Sequence, residues 1–285
     1  MDPPLTAVLS SWTWRSDVVA VVTTLTVVYG VGWVRLRARG ASSVAVWRLA
    51  TYLGGLLAVV LALLSPIGTL GSMLFVMHMS QHELLAMIAP PLLLLGNPLP
   101  VVLWGLPAGL RSRVGRLLEP GAVGRRCLRR ATWMPLTWPL HVLTVWLWHA
   151  PVAYGASLAS SLAHDAQHLS FFVTALLFWW PVIDPAPRIG ARIHDAWRVA
   201  YVIPAAFQSQ VLGLIFAFYP TLIYPHYAAM PRLWGLTALQ DQSTAGVVMM
   251  QIEGLVYLAA VLLLVARMLG RDERLTTLRE QIGSQ

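Results

Sequence analysis

Long apolar segments alternate with short polar segments along the chain. Runs of about 17–25 apolar residues are long enough to cross a bilayer as a helix. The sequence contains seven such runs, at residues 18–34, 49–70, 72–95, 136–156, 162–183, 197–219 and 243–268. This pattern predicts an all-α fold, a polytopic membrane helical bundle with seven transmembrane helices.

The connections between these runs are short, which predicts a single membrane domain over residues 1–285. The longest connection, residues 96–135, contains one apolar stretch at 99–106 that is too short to cross the membrane and is closed by Pro107. We expect this stretch to lie at the membrane interface. Residues 1–4 lack a basic segment, so no cleavable signal peptide is expected.

Arginine placement predicts the orientation of the bundle. Of the 20 arginines, 18 fall in the connections after the first, third and fifth runs or in the C-terminal tail, and only Arg15 and Arg232 fall on the other side. Basic residues are retained on the cytoplasmic side of membrane proteins. The N-terminus is therefore predicted outside, and the C-terminus and the connection 96–135 of this multi-pass membrane protein are predicted in the cytoplasm.

Composition excludes several alternatives. Apolar residues make up 57% of the chain and charged residues 11%, against about a quarter charged in soluble domains. The net charge of +8 comes from the arginines that predict the orientation of the bundle. Nucleic-acid binding would require a basic face on a soluble domain, and the sequence contains no such domain. The chain has no lysine, which excludes a retinal Schiff base, and the single Cys127 excludes a disulfide framework or a four-cysteine zinc site.

Six of the eight histidines fall inside predicted spans, where ionisable residues are costly and indicate function. His141 lies near the inner end of its span and is expected at the interface, and the other five form the candidate site. His78 and His82 are four residues apart, as are His164 and His168, and His149 lies on the span between them. Four-residue spacing places two side chains on one helix face. All five lie in the predicted outer half of the membrane, with His78 and His82 roughly 9 and 15 Å deep at about 1.5 Å per residue.

Further residues are candidates for supporting roles. Asp241 at the outer end of the last span is a candidate metal ligand, and the auxiliary candidates are Met73, Met77, His226, Met249 and Met250. Glu83 and Asp165 point about 100° away from the neighbouring histidines and are candidates for pairing with them. Glu253 is expected to be neutral, or paired with Gln208 or Gln210. Methionines at helical spacing are more often packing residues.

This set of donors suits copper best. Imidazole and thioether groups with one carboxylate and no thiolate match copper, while zinc or iron bound by His and Asp stays open. Two haems fit less well, because axial histidines are then separated by several helical turns.

Six motifs, taken in order, resemble one known family. They are MHMSQH at 77–82, APPLLLLGNP at 89–98, WLWHAP at 146–151, HDAQH at 164–168, FWWP at 178–181 and DQSTAG at 241–246. The sequence resembles the CtaG family of cytochrome c oxidase assembly factors, the multispan histidine-rich kind associated with caa3-type oxidases. The resemblance covers nearly the whole chain.

The resemblance implies a non-enzymatic role in forming the copper centre of the catalytic subunit of a haem–copper oxidase. The matching positions are His78, His82, His149, His164, His168 and Asp241, and the resemblance leaves open which of them bind copper. Three other functions stay open: a metal-free scaffold for oxidase assembly, a haem- or metal-dependent membrane oxidoreductase, and a copper transporter. The expected partners are the oxidase subunit and the lipid bilayer, and a homo-oligomer is left open.

Overall fold

The structure, a computed structural model, describes the backbone of residues 5–41 and 44–283, and most side chains up to Arg271. Residues 1–4, on which the signal-peptide prediction rests, lie outside it. Every regular element in the described part is helical. The elements are α1 (Leu5–Ser10), α2 (Ser16–Arg37), α3 (Val46–Leu64), α4 (Pro66–Gly71), α5 (Phe75–Glu83), a π-helical turn (Leu84–Ile88), α6 (Ala89–Leu95), α7 (Pro98–Gly105), α8 (Ala108–Leu117), α9 (Val123–Ala131), α10 (Met134–His149), α11 (Pro151–Ala159), α12 (Ser161–Ile183), α13 (Asp195–Phe218), a 3-10 helix (Pro225–Ala229) and α14 (Ala238–Gly283).

Five helices are long and apolar enough to cross a membrane: α2, α3, α12, α13 and the part of α14 that ends at Arg271. The continuous segment Phe75–Leu95 joins α7 at a bend of 69°, and this bent pair gives a sixth candidate. These six correspond to six of the seven predicted spans. The described residues therefore support five or six crossings, against the seven predicted.

The predicted span at 136–156 differs from the others because it is broken. Helix α10 has 16 residues and α11 has nine, and Ala150 between them is extended, with φ −65° and ψ 134°. A residue that precedes proline is disfavoured in the helical conformation, and Pro151 follows Ala150 directly. Each piece is shorter than the roughly 20 residues that one straight crossing requires.

A π-helical turn separates α5 from α6. Pro90 and Pro91 donate no backbone hydrogen bond, and their rings crowd the carbonyl groups four residues earlier, at Ala86 and Met87. The helix widens into the π turn over Leu84–Ile88, immediately before the two prolines. The chain therefore stays helical from α5 into α6 without a break.

Glycines allow the closest helix contacts. A Cβ atom added to Gly246 of α14 would lie 2.5 Å from the oxygen of Gly213 in α13 and 2.5 Å from the nitrogen of Ala217. A Cβ atom added to Gly32 of α2 would lie 1.8 Å from the oxygen of Val101 in α7. Small residues at such crossings let helix backbones approach closely. The stretch predicted at the interface thus packs against the first span as α7.

Two apolar clusters lie above and below the histidine-bearing turns. One includes Phe75, Tyr154 and Phe216, and the other includes Phe178 and Tyr257. The histidines therefore occupy a layer between two packed parts of the bundle.

Candidate metal centre

The five histidines predicted to share one depth lie together in the folded chain. Helix α5 provides His78 and His82, α10 ends at His149, and α12 provides His164 and His168. The ring centroids are 4.5 Å apart for His78 and His82, 4.1 Å for His164 and His168, and 5.4 Å for His82 and His168. His78 lies 5.4 Å from His164, and His82 lies 5.9 Å from His149. The rings thus form one continuous cluster across three helices.

Three of these histidines form the tightest group. One ring nitrogen from each of His78, His82 and His168 lies within 4.8 Å of the other two. The three residues are 1%, 4% and 5% exposed, respectively. Three imidazole nitrogens at this separation can converge on one ion of a transition metal.

The hydrogen bonding of the cluster is incomplete. Among the described residues, the Nε2 atoms of His78, His149 and His168 and both ring nitrogens of His82 have no hydrogen-bond partner. Burying a polar atom without a partner is unfavourable, and such atoms in native proteins call for an explanation. A bound metal ion would satisfy these nitrogens, and imidazole donors suit copper, zinc, iron and nickel.

His149 is held in a defined orientation. Its Nδ1 atom lies 2.7 Å from the carbonyl oxygen of Val145, one turn earlier in α10. Because a carbonyl only accepts, Nδ1 carries the proton and donates it, which leaves the Nε2 lone pair free. The helix break at Ala150 follows directly, so His149 lies at a helix end next to the cluster.

His164 lies at the edge of the cluster and is half-buried. The neighbouring Asp165 pairs with Arg15, with oxygen–nitrogen distances of 2.5 and 3.2 Å. Hydrogen bonds to Asp17 and then to Asp165 raise the pKa of Arg15. Asp165, a candidate for pairing with a histidine, thus links α12 to the start of α2.

Asp241, in the first turn of α14, packs against the N-terminus of α5. It caps this helix, which carries two of the histidines. Its Oδ2 accepts a hydrogen bond from the backbone nitrogen of Phe75 at 2.7 Å, and its Oδ1 accepts one from Val76 at 3.0 Å. The carboxylate is 1% exposed. A carboxylate at a helix N-terminus satisfies free N–H groups and complements the helix dipole. Both oxygens of this predicted ligand are therefore already engaged.

The auxiliary candidates lie in apolar or exposed surroundings. Met73, Met77 and Met249 pack in the apolar cluster above the histidines. Met250 packs against Gly213, where an added Cβ would lie 2.4 Å from its Cγ. His226 is exposed, and its Nε2 lies 3.4 Å from the backbone oxygen of Ser72. Among the described residues, His226 is not part of the group of three histidine nitrogens.

Three tyrosines pack beside the histidine cluster, next to α11. Tyr224 donates a hydrogen bond to the carbonyl oxygen of His149 at 2.6 Å. Tyr227 donates to the carbonyl of Gly71 at 3.1 Å, and its hydroxyl lies 2.7 Å from that of Tyr154. Burial raises the pKa of Tyr224 and of Tyr227, so both hydroxyls keep their protons. These hydrogen bonds fix the loop between α13 and α14 over the histidines.

Two buried glutamines next to the histidines were not identified from the sequence as parts of this region. Gln167, next to His168, is fully buried and has no side-chain hydrogen bond within the described residues. Gln81 donates to the carbonyl of Ala62 at 2.7 Å, while its Oε1 has no hydrogen-bond partner among the residues described. The sequence did contain a signal for both residues, because a glutamine directly precedes the second histidine of each pair.

The expected partners of Glu253 are occupied elsewhere. Gln208 accepts a hydrogen bond from the indole of Trp146 at 2.7 Å, and Gln210 donates to the carbonyl of Met250 at 3.1 Å. Glu253 instead interacts electrostatically with Glu83, and one carboxyl oxygen of each has no hydrogen-bond partner in the part of the chain that the structure describes. Glu83 therefore approaches Glu253, although it was expected to support His82.

Fold and site together define a class: an all-helical protein with several helices of membrane-spanning length and a buried cluster of imidazoles. The family model described as cytochrome c oxidase caa3 assembly factor (Caa3_CtaG) matches residues 27–271. The chain belongs to this family, which confirms the resemblance that the motifs indicated.

Curated relatives are found in mycobacteria. The chain is 27% identical over 295 aligned positions to an uncharacterized protein of Mycobacterium bovis and to one of Mycobacterium tuberculosis, covering 96% of this chain and 42% of each relative. An uncharacterized protein of Mycobacterium leprae is 30% identical over 205 positions, which are 65% of this chain and 29% of the relative. The chain thus spans less than half the length of the relatives it matches. No solved structure matches it significantly.

Proposed function

We propose that this chain binds copper through its histidine cluster and supplies it during formation of the copper centre of a haem–copper oxidase. The family is one of cytochrome c oxidase assembly factors. The observation that carries the proposal is the group formed by His78, His82 and His168, whose buried nitrogens lie within 4.8 Å of one another. Four of their six ring nitrogens have no hydrogen-bond partner among the described residues.

Copper is the cargo of this protein, and it is not consumed in a reaction. His78, His82 and His168 would form the primary site, and His149 and His164 lie close enough to assist when copper arrives or leaves. Imidazole accepts both oxidation states of copper. Copper would be taken up by ligand exchange and passed by the same exchange to histidines of the oxidase catalytic subunit. This role requires no catalytic residue in the chain.

We further propose one seven-span membrane domain, with the N-terminus outside and the C-terminus in the cytoplasm of a bacterial cell. Helices α10 and α11 would together form the seventh crossing as a broken helix, which is tolerated where the backbone groups at the break find other partners. The carbonyl of His149 accepts a hydrogen bond from Tyr224, and the carbonyl of Ala150 accepts one from the backbone nitrogen of Tyr154. An odd number of crossings agrees with the placement of 18 of 20 arginines on one side. The side chains of Arg274 and Arg279 lie outside the described residues.

The test is the copper content of the detergent-purified protein, measured by elemental mass spectrometry after loading with Cu(I). We expect near-stoichiometric copper in the wild type and a loss of most of it in H78A/H82A. The matched control is H194N, since His194 is exposed and caps α13 by accepting from Ala196, which asparagine also does.

A second readout separates copper delivery from scaffolding. Co-expression with the oxidase should give an oxidase without its copper in the H78A/H82A strain and a complete oxidase in the H194N strain. Equal and negligible copper in all three purified proteins would overturn the proposal and favour a metal-free scaffold. A visible absorption band from the purified protein would favour the haem-dependent oxidoreductase.

A further inference from the structure

A large cavity lies at the arginine-rich end of the bundle, away from the histidine cluster along α10 and α12. Its volume is about 1160 Å³, which exceeds the range of about 300–1,000 Å³ that is typical of small-molecule sites. The end of α9, the first turns of α10, the end of α12 and the start of α13 line it. It is thus formed where four helices end or begin.

The mouth of the cavity carries unpaired positive charge. Arg129 and Arg130 in the last turn of α9 are exposed, and neither has an ion pair or side-chain hydrogen bond within the described residues. Arg198, also at the cavity, is neutralised by Asp184 at 2.9 Å and Asp195 at 3.3 Å. The free charge at the site therefore comes from two adjacent guanidinium groups.

The depth of the cavity is aromatic and apolar. Four indoles line it, from Trp133, Trp138, Trp180 and Trp197. Trp133 and Trp197 are 61% and 71% exposed, which leaves the cavity open at the side of the bundle. Along α13 the lining reaches from Trp197 to Pro204, a depth of roughly 10 Å at about 1.5 Å per residue.

This combination specifies the chemistry of the ligand. Guanidinium groups bind phosphate oxygens in pairs, and indoles at the membrane interface contact both headgroups and acyl chains. Basic pockets between membrane helices bind anionic lipid headgroups. A cation pair above an open apolar cavity is complementary to an amphiphile with a phosphate at one end, and a soluble anion would leave the indole-lined depth unfilled.

We propose that this cavity is a binding site for an anionic phospholipid, with the phosphate on Arg129 and Arg130 and the acyl chains against the four indoles. The site is separate from the histidine cluster. Its occupant would fill the space between α9, α10 and α13 and hold the amphipathic helix α9 against the bundle.

The experiment quantifies the phospholipid that copurifies with the protein after extensive detergent washing, by extraction and mass spectrometry. We expect anionic phospholipid to be retained in preference to zwitterionic phospholipid by the wild type. R129Q/R130Q should lower the retained anionic lipid at least fivefold. The control R113Q/R116Q, which removes two equally exposed arginines of α8 outside the cavity, should retain as much as the wild type.

A second variant tests the apolar part of the site. W197L leaves both arginines in place and removes one exposed indole, so it should lower retention of the same lipid severalfold. Equal losses in R129Q/R130Q and R113Q/R116Q, or equal retention of zwitterionic and anionic lipid, would overturn the proposal. A photo-cross-linking residue in place of Trp197 should form a lipid adduct, and a protein adduct there would instead assign the cavity to a protein partner.

Discussion

The Nδ1 atom of His149 lies 2.7 Å from the carbonyl oxygen of Val145 within the last turn of α10. Since this contact uses the Nδ1 proton, the ring presents an unprotonated Nε2 to its surroundings, and that atom has no partner among the described residues. The backbone of a helix end thus selects the tautomer that a metal ligand requires.

Replacing His149 with asparagine distinguishes the structural role of Nδ1 from the proposed metal-binding role of Nε2. The amide of H149N can still donate to Val145 from the Nδ1 position, but it provides nothing at the position of Nε2. We expect the free energy of unfolding in SDS to change by under about 1 kcal/mol. The affinity for Cu(I) should fall at least about tenfold. A competitive Cu(I) chelator titration measures the affinity. Wild-type affinity in H149N would remove His149 from the site.

The five histidines should differ in their contribution to copper binding. His168 belongs to the group whose nitrogens lie within 4.8 Å of one another, whereas His164 lies half-buried at the edge. Loss of groups that only support metal ligands costs about 10–100-fold in affinity. We therefore expect H168A to lose at least about 100-fold and H164A about tenfold, by the same titration. The reverse order would place the primary site nearer the start of α12.

Asp241 should act on the stability of α5 and hardly at all on copper. The variant D241N removes the charge and one acceptor from the buried cap of Phe75 and Val76, at a cost of about 2 kcal/mol in the free energy of unfolding. The matched variant D165N affects a pair whose side chains are 37% and 43% exposed, and should cost under about 1 kcal/mol.

The amount of copper bound per molecule distinguishes whether Asp241 is a helix cap or a metal ligand. The fraction of D241N that folds should bind as much Cu(I) per molecule as the wild type, measured on protein purified by size exclusion. Folded D241N without copper would show that this carboxylate is part of the site after all.

The crossing of α13 and α14 should not tolerate a side chain at Gly246. An added methyl group would lie 2.5 Å from backbone atoms of Gly213 and Ala217, so G246A should destabilise the protein by about 1–3 kcal/mol. In the same helix, a Cβ at Gly254 would meet only the side chain of Gln210, at 3.6 Å. G254A is therefore the control and should be neutral or slightly stabilising. Thermal unfolding in detergent compares the two, and equal melting temperatures would contradict the close packing.

Much of the histidine layer could be predicted from the sequence, because two simple regularities determine it. Four-residue spacing fixed the faces of His78 and His82, and the count of residues from each span end fixed the depth. The role of Asp241 could not be predicted in this way. Which atoms a carboxylate meets depends on how α14 packs against the start of α5, and periodicity within one helix carries no information about that.

The interruptions of the helices were harder to predict than the helices themselves. Pro151 is visible in the sequence, yet an apolar run on both sides of it resembles one continuous span. The cavity beside Trp197 is a stronger case, since its walls come from segments separated by dozens of residues. Such a space exists only after the helices have packed.

The π turn at Leu84–Ile88 sets the angular position of the histidines. A turn that accommodates an additional residue rotates everything before it by about 100° relative to everything after it, compared with a regular helix. The side chains of α5 and of α6 are consequently rotated relative to each other about the helix axis, although the two helices are continuous. Deleting a single residue from this turn would restore one phase and swing His78 and His82 away from His168, even though all eight histidines would still be present in the chain.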